Sequence, residues 1–158
     1  MADEHWQRDH LHRLGLVFDR QPMYFVTACT ADRRPVLACE ELAGRLVVCL
    51  RNAADATGWW VGRYVVMPDH VHFFCAPYVE ARGLSALMKQ FKGAMTAEAR
   101  AAGHHGRLWQ PEFFDHLLRS DESYHAKWLY VRENPVRDGL CATAEERPYQ
   151  GDLSPREG

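Results

Sequence analysis

The sequence predicts an α+β domain built on a ferredoxin-like split β-α-β antiparallel sheet, with helices on one face and an additional C-terminal helix. Three observations carry that prediction. Hydrophobic spacing switches between the strand and helix periods in the order β-α-β-β-α-β-α. The two central strand-like runs are separated only by Pro68-Asp69. No internal repeat or Pro/Gly-rich linker divides the 158 residues.

Each element has a local reason. Met23-Tyr24-Phe25-Val26-Thr27-Ala28-Cys29-Thr30 is rich in aromatic and β-branched residues and gives way to Asp32-Arg33-Arg34-Pro35, so it reads as a strand and a turn. Leu42, Leu46, Cys49, Leu50 and Ala53 fall at helical spacing, and Gly58 stands where a helix would stop. Residues 59–67 and 70–75 form a predicted β-hairpin turning at Pro68-Asp69. Leu84, Leu87, Met88, Phe91 and Met95 make the next helical stripe, with Ser85 expected as its N-cap and Gly103 to Gly106 as its end. Residues 108–116 are expected to hold short strand pieces interrupted at Pro111. A final helix, capped by Ser120 with Asp121 and Glu122 at the positive end of its dipole, should bury Tyr124, Trp128 and Val131 until Pro135 stops it.

Composition sets the limits. With 47% hydrophobic and 25% charged residues the chain is ordinary globular protein, neither fibrous nor disordered. Three zones are expected: a polar leader at 1–20, a catalytic domain at 21–141, and a loosely ordered tail at 142–158. That acidic tail, with Tyr149, is a candidate cover for a binding groove. No apolar run approaches the ~20 residues needed to span a bilayer, and the first dozen residues lack a signal-peptide core, so a cytoplasmic protein with no membrane association is expected. The five cysteines are odd in number and contain no CxxC pair, which argues against a disulfide framework and a thiolate zinc site. Net charge is −2, yet residues 82–137 carry Arg82, Lys89, Lys92, Arg100, Arg107, Arg119, Lys127, Arg132 and Arg137 against six acids. A phosphate-binding surface is therefore expected there.

His70 and His72 stand two apart on a predicted strand. Their side chains should leave the same face, where two neutral imidazoles can reach one cation while Val71 points into the core. Alone the pattern is weak, since one histidine could be a hydrogen-bonded core residue and the other a surface residue. His10-Leu11-His12 repeats the pattern in the leader.

The wider context is more specific. Tyr64-Val65-Val66-Met67-Pro68-Asp69-His70-Val71-His72-Phe73-Phe74 resembles the His-hydrophobic-His (HUH) signature of single-tyrosine transposases, and within them the REP-associated tyrosine transposases. Leu84 to Lys92, Trp109-Gln110-Pro111-Glu112-Phe113-Phe114-Asp115-His116 and Tyr130-Val131-Arg132-Glu133-Asn134-Pro135-Val136-Arg137-Asp138-Gly139-Leu140 resemble later blocks of that family, in order. The similarity runs from about Met23 to Leu140.

The resemblance implies an enzyme that cuts and rejoins single-stranded DNA through a bond between a tyrosine and a 5′ phosphate. Tyr130, four residues before Asn134-Pro135, matches the nucleophile. His70 and His72 match the metal ligands, with Asn134 as a third, oxygen ligand and Mg²⁺ or Mn²⁺ as the ion. Because Pro135 disfavours helical geometry at Asn134, Asp115, His116 and His125 stand as substitutes. The expected partner is single-stranded or hairpin DNA, its phosphates met by Lys89, Lys92, Arg100, Lys127, Arg132 and Arg137. Trp59, Trp60 and Trp109 are candidates for base stacking, against the alternative that they lie in the core. The working unit is expected to be a monomer or a homodimer. Two rival readings remain at this level: a domesticated protein that grips hairpin nucleic acid without cutting it, and a metal hydrolase that uses activated water.

Overall fold

A computed structural model describes residues 22–118, 121–144 and 149–154. The expected cap at Ser120 and the polar leader lie outside those residues. The chain runs β1 (Met23–Cys29), a tight turn at Ala31–Arg33, α1 (Glu40–Thr57), β2 (Trp59–Met67), β3 (His70–Pro77), α2 (Leu84–Ala101), β4 (Phe114–Leu118), α3 (Asp121–Arg132), the single-turn α4 (Asn134–Arg137) and β5 (Gln150–Asp152). The strands form one antiparallel-paired sheet in the order β4-β1-β3-β2-β5. The first four strands are the split β-α-β arrangement that the hydrophobic periods predict.

Strand alternation sorts the side chains into two cores. Val26, Ala28, Val71, Phe73 and Cys75 face α1 and α2, whose stripes through Leu42, Leu46, Leu50, Leu87, Phe91 and Met95 are fully buried against them. Met23, Phe25, Val65, Met67 and Phe74 face the other way. There they meet Tyr124 and Val131 of α3, with Trp128 partly buried beside them. The sheet thus carries two helices on one face and the C-terminal helix on the opposite one. His70 and His72, alternating with Val71, share the α3 side.

Several local details differ from expectation. Gly83, not Ser85, occupies the N-cap of α2. Residues 108–113 contribute only a bridge between Trp109 and Thr30, and the regular strand begins after Pro111, at Phe114. Trp59 and Trp109 are buried and Trp60 packs against the second core, so the core alternative holds for all three; the Trp59 indole donates to the Arg82 carbonyl at 2.7 Å. Part of the tail forms a short strand, β5. Residues 150–152 pair with β2, because Tyr149 packs on the first core and Gly151 lets the Tyr64 ring lie where a β-carbon would sit 2.7 Å from its hydroxyl. Tyr149 therefore lies on the α1 side of the sheet, away from the histidine pair, and does not cover it.

Gly58 closes α1 in the left-handed region, with φ of 80°, and its N–H donates to the Ala54 carbonyl. A β-carbon there would also sit 3.2 Å from the Ala81 Cα. Gly58→Ala is expected to destabilise the fold by about 1–2 kcal/mol, read as a thermal midpoint lower by several degrees. An unchanged midpoint would contradict this account of the α1–β2 junction.

Candidate active site

β3 leaves the hairpin turn at Asp69 and immediately presents two imidazoles on the α3 face. His72 pairs across the ladder with Thr27 of β1 and Val65 of β2, and His70 pairs with Cys29 and Met67. The two Nε2 atoms approach each other at 3.1 Å. Each ring is held from behind. His70 Nδ1 lies 2.7 Å from an Asp69 carboxylate oxygen, and His72 Nδ1 lies 2.8 Å from the Thr27 hydroxyl. The Phe25 ring stacks on His72 at 5.1 Å with an interplanar angle of 23°, which fixes the imidazole plane.

These partners decide which nitrogen carries a lone pair. A carboxylate only accepts, so the proton of a neutral His70 sits on Nδ1 and its Nε2 points a lone pair at His72. If His72 likewise donates from Nδ1 to Thr27, two lone pairs face each other across 3.1 Å. That is repulsive in an empty cavity and favourable around a cation. The donor set and the carboxylate and hydroxyl behind it fit a divalent ion.

Electrostatics keep His72 neutral. Burial, then the charges of His70, Lys127 and Arg33, push the His72 imidazole down to about 3. At Asp69, burial works to raise the carboxyl, but the hydrogen bond and charge of His70 and the Arg33 guanidinium outweigh it and hold it below the ordinary carboxylate value. His72 is therefore ready to bind metal well below neutral pH without first losing a proton. The same shift has a stability signature. Between the ordinary value of 6.5 and about 3 the unfolded chain binds a proton that the folded chain refuses, so stability should fall as pH drops through that window. In chelator, denaturant midpoints are expected to decline from pH 6.5 downward, and His72→Gln should flatten the slope. A slope unaffected by the substitution would contradict the burial argument.

Asn134 also approaches the histidine pair. α3 ends at Arg132, Glu133 interrupts the helix, and α4 restarts at Asn134 with Pro135 in its first turn, where a missing N–H costs nothing. Pro135 thus opens a new turn instead of turning Asn134 away. The Asn134 Nδ2 lies 3.2 Å from His72 Nε2, while its Oδ1 accepts from the Arg137 guanidinium. A half-turn of the amide would present the oxygen to the pair and release the Arg137 hydrogen bond. Among the described residues no group of three His, Cys, Asp or Glu side chains surrounds one point. Asp115 faces the α1–α2 side through its pairing with Val26, and His116 stands across from Phe25 on the exposed edge strand.

Arg137 links this corner to Tyr130. Its guanidinium donates to the Tyr130 carbonyl at 2.8 Å and lies 4.0 Å from the centre of the Tyr130 ring. Lys127 sits 5.8 Å from the same ring and 4.7 Å from that of Phe25. Tyr130 itself is 60% exposed, so its hydroxyl is open to a substrate.

The basic residues do not gather in one place. Lys127 and Arg137 flank Tyr130, and Arg132 ends the same helix. Lys89, Lys92 and Arg100 ride on α2, in the layer across the sheet. The Lys92 ammonium donates to the carbonyls of Gln110 (2.7 Å) and Glu112 (3.3 Å), which gives it a structural task of fastening the segment before β4. Sequence reasoning missed Thr27, Asp69 and Arg33. Asp69 had one signal, its place directly before His70; Thr27 and Arg33 join the site only through folding.

Comparison with known proteins identifies the family and the fold. Residues 20–132 match the family model described as "Transposase IS200 like". The chain is 26% identical over 91 residues to the REP-associated tyrosine transposase of Escherichia coli, covering 56% of this chain and 52% of that protein. It is 21% identical over 97 residues to an uncharacterized protein of Haemophilus influenzae, covering 48% of this chain and 54% of the relative. The chain thus spans about half the length of the curated relatives it matches. In three dimensions it resembles a REP-associated tyrosine transposase solved bound to a REP hairpin, with a TM-score of 0.71, 22% identity, and coverage of 82% of this chain and 75% of that one. Among the described residues no helix is long and apolar enough to cross a membrane.

Proposed function

The chain belongs to the IS200-like transposase family, and on that premise we propose that it is a metal-dependent single-stranded DNA endonuclease and strand transferase, acting on hairpin-containing DNA through a 5′-phosphotyrosine intermediate. One observation carries the reading most: the 3.1 Å convergence of His70 Nε2 and His72 Nε2, joined through Asn134 and Arg137 to an exposed Tyr130.

A phenol with an ordinary pKa near 10 is a weak nucleophile at neutral pH, so the phosphate must be activated as well as the tyrosine. Mg²⁺ or Mn²⁺ on His70 and His72, with Asn134 offering its Oδ1, would supply a Lewis acid that withdraws charge from a non-bridging oxygen of the scissile phosphodiester. The remaining work falls to side chains. Thr27, Asp69 and Phe25 hold the imidazoles in one orientation, so no reorganisation is needed when substrate arrives. Lys127 and Arg137 stabilise the negative charge that grows on Tyr130 Oη as its proton leaves to solvent. The Oη–P bond forms, the P–O3′ bond breaks, and the 3′ oxygen takes a proton from solvent as it departs, leaving a free hydroxyl. Because the phosphotyrosine conserves the broken diester, a 3′ hydroxyl can later attack it and restore Tyr130.

The REP hairpin seen on the solved relative suggests the substrate class. A cleft of about 510 Å³ lined by Arg34, Arg107 and Gln110 lies next to the turn that carries Arg33, and it offers room and positive charge for the strand flanking a hairpin. Incubating the chain with a labelled hairpin oligonucleotide bearing single-stranded flanks, with Mn²⁺ or with EDTA, tests the proposal. A metal-dependent protein–DNA band that survives denaturation is expected. Tight binding without such a band across many hairpins would favour the non-cleaving, domesticated alternative.

A further inference from the structure

We propose that Arg33 is a positioning residue for the imidazole pair, acting through Asp69. The proposal rests on the reading that His70 and His72 hold a divalent ion.

Asp69 uses both carboxylate oxygens. Oδ1 takes the His70 Nδ1 proton at 2.7 Å, and Oδ2 takes the Arg33 Nε proton at 2.8 Å. A second Arg33 nitrogen reaches the buried Cys29 sulfur at 2.9 Å, so the guanidinium is pinned at two points although the side chain is about half exposed. With one oxygen locked by Arg33, the carboxylate cannot rotate away from His70, and His70 cannot exchange the tautomer that turns its Nε2 lone pair toward His72.

The backbone that delivers Arg33 is unusual. Asp32 and Arg33 have φ of 54° and 53°, two consecutive non-glycine residues in the left-handed region. Their neighbours hold them there. Thr30 donates its N–H (2.9 Å) and its hydroxyl (3.1 Å) to the Asp69 carbonyl, and the Leu37 N–H donates to the Pro68 carbonyl at 2.9 Å. The turn after β1 and the turn before β3 are thus sewn together at the point where Arg33 meets Asp69. A half-exposed ion pair contributes little to stability, so the Arg33–Asp69 contact calls for a reason other than stability. Orienting a metal-binding imidazole supplies one.

The test is a titration with Mn²⁺ alone, read as the loss of the free-ion EPR signal, on the full chain and on Arg33→Ala, Arg33→Gln, Asp69→Ala and the Arg33→Ala/Asp69→Ala double variant. Neither single Arg33 variant can offer Asp69 a charged planar donor, and each is expected to weaken Mn²⁺ binding about tenfold. The double variant should bind no more weakly than Asp69→Ala, since Arg33 has nothing left to act upon. Wild-type Mn²⁺ affinity in a folded Arg33 variant would overturn the proposal while leaving the metal reading intact. So would a double variant whose loss is the product of the two single losses. An absence of Mn²⁺ binding by the wild-type chain would overturn the metal reading, and the proposal with it.

Discussion

Tyr130→Phe is expected to abolish the covalent protein–DNA product while leaving Mn²⁺ affinity and hairpin binding unchanged. The variant removes one oxygen from a ring that is 60% exposed and keeps its contacts with Arg137 and Lys127. Stability should change by no more than about 0.5 kcal/mol, as for other exposed substitutions, so loss of product would report the missing nucleophile. This result separates the proposed enzyme from a hydrolase that activates water. In the hydrolase, cleavage would persist in Tyr130→Phe and yield a free 5′ phosphate.

His72→Ala should have the next largest effect. The imidazole supplies one of the two converging nitrogens, and within the described residues no other histidine, cysteine or carboxylate completes a group that could replace it. A metal contribution of several kcal/mol to the transition state corresponds to roughly a 10³-fold fall in the rate of adduct formation. Binding of hairpin DNA without metal should persist, because on the proposed reading the phosphates are met by arginines and lysines and not by His72. A rate within a few-fold of wild type at saturating Mn²⁺ would show that the pair does not carry the chemistry. His72→Ala also removes the imidazole that is held down to about 3, so its metal-free stability should vary less between pH 3 and 6.5 than that of the wild-type chain.

What the sequence revealed depended on how local each feature is. The period-2 spacing of His70 and His72 around Val71 fixes their common face without reference to any other strand, and the structure keeps it. Gly58 marked the end of α1 because a left-handed cap depends on that residue alone. The buried line of Tyr124, Trp128 and Val131 likewise followed from helical spacing. Asn134 was harder. The steric rule for residues before proline argued against it, and only the break at Glu133 shows that a fresh turn begins there and returns the amide to His72.

Other features were invisible for a physical reason. Arg33 and Asp69 are 36 positions apart and meet because β1 and β3 pair in one register. Composition could count the lysines of residues 82–137 but could not show that α2 and α3 cover opposite faces of the sheet. Charge that looked like one patch is divided between two layers, and the Lys92 ammonium is committed to two backbone carbonyls. The strand at 150–152 depends on the edge of β2 and on the Tyr64 ring resting over Gly151, neither of which a polar, proline-containing tail announces.

Mapping the adduct by mass spectrometry is the most direct measurement. The chain would be reacted with a hairpin oligonucleotide in Mn²⁺, digested with nuclease and trypsin, and its peptides searched for a residual nucleotide. The account predicts the modification on the peptide running from Trp128 to Arg132, at Tyr130, joined through a 5′ phosphate and missing when EDTA replaces the metal. A nucleotide on any other peptide, or cleaved DNA whose 5′ phosphate carries oxygen from labelled water and no protein, would contradict it.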